Sequence, residues 1–137
     1  MSLINVGICG ASGKMGKALV RAVVNNNKLQ LSSALEHDSN TNIGKDSGTI
    51  ANIEPTGVNI ISNADKFFAD CDAVIDFSFA DASVENIKAA VNHNCAYVLG
   101  TTGLNEAQVE EIKSFSKSIP IMHAANMSVG VNIALHY

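Results

Sequence analysis

The sequence predicts an α/β domain built on a doubly wound parallel sheet with helices on both faces. Three observations predict it. Short apolar runs alternate with amphipathic stretches along most of the 137 residues. A glycine turn joins the first apolar run to the first helical stretch. The segments rich in Gly, Ser, Thr and Asn fall where the apolar runs end, which is where such sheets bind ligands.

The first apolar run is Leu3-Ile4-Asn5-Val6-Gly7-Ile8-Cys9. It leads into Gly10-Ala11-Ser12-Gly13-Lys14-Met15-Gly16, and Met15, Ala18, Leu19, Ala22 and Val23 then recur on one helical face. Such a turn presents backbone N–H groups at a helix N-terminus, where the macrodipole favours an anion. Its glycines let a pyrophosphate approach without Cβ clashes. The helix is expected to stop at Asn25-Asn26-Asn27. Residues 29–35 form the second strand and end at Glu36. That acid lies 20 residues beyond Gly16, the spacing at which a dinucleotide fold places the carboxylate that binds the adenosine ribose.

Residues 37–58 make a polar, glycine-bearing excursion of the kind that is usually functional or mobile. A short strand is expected over 58–62, and Asn63 is placed to cap a short helix through Phe68. Residues 73–79 form a buried strand, followed by a helix with Val84, Ile87, Ala90 and Val91 inward and Asp81 or Ser83 as cap. Residues 97–99 form the next strand and run into Gly100-Thr101-Thr102-Gly103. Asn105 and Gln108 have capping-box spacing, and Leu104 and Val109 that of a hydrophobic staple. Residues 119–122 are the last strand, with Pro120 suited to its start or to a sheet edge. The segment from Ala124 turns into an apolar helix near Ser128 that stops at Tyr137. An apolar helix cut short lacks a packing partner, so the chain is expected to be a fragment of a longer protein.

Composition excludes several classes. With 47% hydrophobic and 16% charged residues the chain is globular. Its nine basic residues are scattered and its formal charge is −4, which argues against a nucleic-acid partner. The apolar runs are shorter than the roughly 18 residues of a membrane span, and no signal peptide is visible. Cys9, Cys71 and Cys95 are far apart and read as buried, reduced thiols of a cytoplasmic protein, and no cluster has metal-ligand spacing.

Taken together the motifs resemble the dihydrodipicolinate reductase family, and specifically its N-terminal nucleotide-binding domain. The carrying segments are Val6 to Gly16, Ala34-Leu35-Glu36, Gly44 to Gly48, Val74 to Ser78, Gly100-Thr101-Thr102-Gly103, and Ala124 through Asn132. The resemblance implies a Rossmann-like dinucleotide-binding domain over residues 1–127. Residues 128–137 would then start the connecting helix to a second, catalytic and tetramer-forming domain that is missing here. It implies hydride transfer from NADH or NADPH to a cyclic dihydrodipicolinate-type imine, or its hydroxylated precursor, in lysine and diaminopimelate biosynthesis. Gly10, Ala11, Ser12, Gly13, Lys14 and Met15 would cradle the pyrophosphate. Glu36, with His37 beside it, would face the adenosine ribose. Phe77 would be a further cofactor contact, Gly100, Thr101 and Thr102 would line the nicotinamide side, and Ala124, Ala125, Asn126 and Met127 would fix the ring.

Two positions depart from the family pattern. His37 stands where a basic residue often meets the 2′-phosphate of NADP, and Phe79 where some members have arginine. Without a fixed cation at either, NADH is the expected preference. The family's catalytic His-His-x-x-Lys region is absent, so no catalytic residue is assigned in this chain, and His93, His123 and His136 are not promoted to the role. The fragment alone is expected to be inactive and the full-length protein a homotetramer. The alternatives are a cofactor domain of another amino-acid-pathway dehydrogenase, such as a homoserine or aspartate dehydrogenase, and a non-catalytic nucleotide sensor.

Overall fold

The computed structural model describes residues 3–123. Six strands alternate with five helices. The strands are β1 (Ile4–Cys9), β2 (Leu29–Leu35), β3 (Ile60–Ile61), β4 (Ala73–Asp76), β5 (Ala96–Leu99) and β6 (Ile121–His123). The helices are α1 (Lys14–Val24), α2 (Ser47–Ile50), α3 (Ala64–Ala69), α4 (Ala80–His93) and α5 (Glu106–Phe115). Every strand pair is parallel and the order is β3-β2-β1-β4-β5-β6. The connections therefore run one way from β1 to β3 and the other way from β4 to β6. The reversal falls between β1 and β4, where a doubly wound sheet opens a crevice at its carboxyl edge.

Strand alternation divides the core into two layers. Val6 and Ile8 of β1 join Leu19, Val20 and Val23 of α1 on one face, with Leu31, Ala34 and Ile75. Cys9, Val74, Tyr97 and Leu99 join Phe67 and Phe68 of α3, Val84, Ile87 and Ala90 of α4 and Ile112 of α5 on the other. Successive side chains of a strand point to opposite faces, so one apolar run supplies both layers. A bulge at Ser32 shifts the register between Val6↔Leu31 and Gly7↔Ser33, and the Ser32 hydroxyl donates to the Val6 carbonyl at 3.3 Å.

The helix boundaries follow local chemistry. α1 closes at Asn25, where the sequence predicts a stop. Asn63 accepts the Lys66 amide at 3.0 Å and caps α3. Asn105 and Gln108 form a complete capping box, with bonds of 2.8 and 2.9 Å. Pro120 lies just before β6, an edge strand, and its carbonyl accepts the Tyr97 amide.

Several expectations need correction. The fourth strand ends at Asp76; the Phe77 amide still reaches the Cys9 carbonyl at 3.4 Å, and Ser78 and Phe79 lie beyond the strand. Neither Asp81 nor Ser83 caps α4, because both lie inside its first turn; the N-cap is Phe79, which offers no side-chain bond. The polar excursion is well organised. Asp46 caps α2 and also accepts the amides of Thr56 and Gly57 at 3.0 and 2.8 Å, closing the segment on itself. Only Ile60–Ile61 of the strand expected over 58–62 pairs in the sheet. The helix expected from Ser128, with His136 and the division at residue 127, lies outside the described residues.

Candidate functional site

The carboxyl ends of β1, β2, β4 and β5 bring together the turns at Gly10, Glu36, Phe77 and Gly100. Gly10 has φ +78°, a conformation that costs a residue with Cβ but not glycine. A Cβ on Gly10 would touch the backbone of Phe77 and Ser78, so the first and third turns are in contact. A Cβ on Gly16 would overlap the Gly10 carbonyl, and this close approach draws α1 onto the turn.

Helix α1 has Gly13 at its N-cap, with no side-chain hydrogen bond to its first amides. By contrast α2, α3 and α5 are capped by Asp46, Asn63 and Asn105. The leading N–H groups of α1, at Lys14, Met15 and Gly16, have no intrahelical partner. They form an anion-binding end next to turns without Cβ atoms, and this donor set fits a pyrophosphate. Lys14 is exposed and Met15 half-buried.

Glu36 is fastened to this turn. Its Oε2 accepts the Ser12 amide at 2.8 Å and the Ser12 hydroxyl at 2.6 Å. Asn40 donates to the same hydroxyl at 3.0 Å. Both bonds to Glu36 fall on Oε2, so neither engages Oε1. A part-exposed carboxylate with one oxygen held by the glycine turn is suited to accept hydrogen bonds from vicinal hydroxyls. His37 is exposed and tied into its own loop. Its Nδ1 lies 2.9 Å from Ser39 Oγ and 3.1 Å from Asp38 Oδ1, and accepts the Ser39 amide at 3.2 Å.

The other half of the edge is held by a buried polar network. Asp76 is fully buried. Its Oδ1 accepts the Ser78 amide at 2.7 Å and the Ser78 hydroxyl, and its Oδ2 accepts the Tyr97 phenol. Ser83 Oγ lies 3.5 Å from Ser78 Oγ and 2.7 Å from Thr101 Oγ1. The Thr101 hydroxyl is 3.4 Å from the Ser78 carbonyl. Burial, reinforced by Cys9 and Asp76, pushes the Tyr97 phenol well above its ordinary pKa. Burial and then Asp76 push the Cys9 thiol up in the same way.

The predicted residues thus fall into groups. Gly10 to Met15, Glu36, Phe77, Gly100, Thr101 and Thr102 share one sheet edge. Phe77 covers Gly100 so closely that a Cβ there would overlap its ring. Thr101 spends its hydroxyl inside the protein, so toward a ligand it presents backbone, while Thr102 is exposed. His37 sits at the rim on the β2 side. His123, at the end of β6, has Nε2 3.4 Å from the Thr101 carbonyl. Ala124, Ala125, Asn126 and Met127 follow β6 directly and lie outside the described residues. Among the described residues no group of three or more His, Cys, Asp or Glu is placed to hold a metal. No helix among them is long and apolar enough to cross a membrane.

Sequence reasoning missed Asp76, Ser83 and Tyr97 as site-forming residues. The available signal was an acid inside the apolar run Ala73-Val74-Ile75-Asp76. A carboxyl buried in a sheet needs partners.

Comparison with known proteins places these features in context. The family description "Dihydrodipicolinate reductase, N-terminus" matches residues 4–127. The 4-hydroxy-tetrahydrodipicolinate reductase of Psychrobacter arcticus is 38% identical over 133 residues, covering 97% of this chain and 48% of its own. That of Burkholderia lata is 40% identical over 132 residues, covering 96% and 49%. The chain therefore spans about half the length of these relatives. Among solved structures, the dipicolinate-bound dihydrodipicolinate reductase of Paenisporosarcina sp. TG-14 superposes with TM-score 0.74 at 22% identity, over 96% of this chain and 51% of its own. Homoserine dehydrogenase from S. aureus superposes with TM-score 0.69 at 12% identity, over 91% and 33%. At such identities the structural matches speak to the fold alone.

Proposed function

The chain belongs to the dihydrodipicolinate reductase N-terminal family, and from that premise we propose that it is the nicotinamide-dinucleotide-binding half of a 4-hydroxy-tetrahydrodipicolinate reductase of lysine and diaminopimelate biosynthesis. The observation that carries this reading is the Glu36–Ser12 pair, which couples a ribose-type acid to the glycine turn in a chain of this family. When bound, the cofactor supplies the hydride. Gly10 to Met15 receive the pyrophosphate on backbone N–H groups at the start of α1. Glu36 accepts the adenosine ribose hydroxyls. Phe77, Gly100, Thr101 and Thr102 line the nicotinamide side, completed by Ala124 to Met127.

The reading takes residues 1–127 as the dinucleotide-binding domain of a cytoplasmic, homotetrameric enzyme. Substrate contacts and catalytic groups come from sequence outside this chain, so the 137-residue chain turns over no substrate by itself. NADH is the preferred cofactor. His37 is engaged with Asp38 and Ser39, and Asp38 adds negative charge beside the ribose acid. A 2′-phosphate there would meet Glu36 and Asp38 without a fixed cation.

The test is an assay of the full-length gene product with 4-hydroxy-tetrahydrodipicolinate. NADH consumption, faster than with NADPH at equal concentration, is expected. Cofactor binding without consumption would overturn the reductase assignment, and clearly tighter NADPH binding would overturn the preference.

A further inference from the structure

The buried acid at the end of β4 makes none of the cofactor contacts proposed for this edge. Asp76 occupies the last position of that strand, opposite Cys9 of β1 and Leu99 of β5. It is fully buried beside the second core layer, where a carboxyl with unfilled acceptor positions would be costly. Its bonds divide between two turns. One oxygen holds the amide and hydroxyl of Ser78, in the turn after β4. The other holds the phenol of Tyr97, in the strand that leads into the Gly100 turn. Its own backbone carbonyl also accepts the Gly100 amide at 2.8 Å. Beyond it, Ser83 at the start of α4 joins Ser78 to Thr101.

The geometry points to Asp76 as a positioning residue: with Tyr97 and Ser83 it fixes the Phe77–Ser78 turn against the Gly100–Thr102 turn, and so sets the nicotinamide half of the cofactor site. This rests on the dinucleotide reading above. The adenosine half stands on other contacts, Glu36 to Ser12 and Ser12 to Asn40, which share no side chain with the network. Changes to the network should therefore act chiefly on the nicotinamide end, and more weakly on the Gly10 turn, which meets the Phe77–Ser78 backbone. Asp76 touches no ligand itself. It acts through the backbone it orders, since the Thr101 hydroxyl is spent inside the protein and the ring of Phe77 rests on Gly100.

A comparison of two ligands on the 137-residue chain tests this. NADH spans both halves, whereas ADP-ribose lacks the nicotinamide. The ratio of the ADP-ribose to the NADH dissociation constant reads the nicotinamide contribution, and a generally loosened fold would weaken both ligands in parallel. Asp76→Asn keeps the shape but places an amide where a hydroxyl or amide donor pointed. It should weaken NADH about tenfold and leave ADP-ribose within about twofold. Tyr97→Phe and Ser83→Ala remove single partners and should lower the ratio by a few-fold. These two carry the test if Asp76→Asn does not fold. Parallel weakening of both ligands, or an unchanged ratio in all variants that fold, would overturn the positioning role. So would a wild-type ratio of one. Wild-type chain that binds neither ligand would instead overturn the dinucleotide reading itself.

Discussion

The two halves of the sheet edge are built on different principles. On the β1–β2 side, the turn is shaped by missing side chains, and the acid bonded to it, Glu36, is part-exposed and held by one neighbour, Ser12. On the β4–β5 side, the turns are shaped by side chains that are present: Asp76, Tyr97, Ser83 and Thr101, all buried. The first half leaves backbone donors and a carboxylate oxygen facing outward, as recognition of phosphate and hydroxyl groups needs. The second spends its polar groups inward and leaves a shaped backbone. On the proposed reading, donors would meet the charged end of the ligand and fixed surfaces its flat ring.

The largest expected effect comes from filling the space in the first half. Gly16→Ala would gain up to about 1 kcal/mol of helix propensity. The new Cβ meets the Gly10 carbonyl, a backbone atom with nowhere to go. Overpacking of this kind costs about 1–3 kcal/mol and displaces the turn, so denaturant unfolding should show lower stability and NADH binding should be lost. Gly100→Ala is the contrasting variant. The nearest atoms to its Cβ belong to the Phe77 ring, a side chain that can rotate, so the fold should lose less than with Gly16→Ala. NADH affinity should nevertheless fall while ADP-ribose affinity holds. Equal stability losses in the two variants would erase the distinction between the halves.

Next in size is Glu36→Gln. It removes a charge-assisted acceptor and should weaken NADH and ADP-ribose together, each about tenfold. That parallel loss is the mirror of the selective loss expected for Asp76→Asn.

The excursion after β2 supports the first half and gives a smaller effect. Burial raises the Asp46 carboxyl, but the amides of Thr56, Gly57, Thr49 and Gly48 outweigh it and hold the pKa below its ordinary value. A depressed folded pKa contributes stability above the unfolded value, near about pH 4. That contribution fades as pH falls through the lower folded value. Asp46→Ala should cost about 1 kcal/mol at neutral pH. Its stability should fall less steeply than wild type when urea midpoints are followed below pH 4. A steeper acid limb in the variant would contradict the assignment.

The smallest effect is an absence of reaction. Cys9, Cys71 and Cys95 are all buried. Burial first, then Cys71 and Asp72, pushes the Cys95 thiol up to about 11. A thiol reagent at pH 8 should titrate none of these three until denaturant is added, and rapid labelling of any of them in the folded chain would show a looser second layer.

The two halves also differed in how far they could be read from sequence. The glycine turn and Glu36 are a local pattern with a fixed spacing, so the first half is legible in the sequence. Asn63, Asn105 and Gln108 were legible for the same reason, because capping is a contact between near neighbours in the chain. The second half was not. Asp76 meets Tyr97, and Ser83 meets Thr101, across 21 and 18 residues of chain. No local signal marks such a pair. Ser83 looked like a helix cap because serine near a helix start usually is one, but the helix begins earlier, at Ala80. Residues 77–79 looked like strand because they are largely apolar, while the Asp76 carboxyl draws the Ser78 amide out of the ladder.

The central claim is that this sheet edge holds a nicotinamide dinucleotide through Glu36 and the glycine turn. It is tested most directly by titrating the chain with NADH and following nicotinamide fluorescence, with ADP-ribose as competitor and Glu36→Gln in parallel. Saturable binding, displaced by ADP-ribose and weakened about tenfold in the variant, is the expected result. No saturable binding, or binding that Glu36→Gln leaves unchanged, would contradict it.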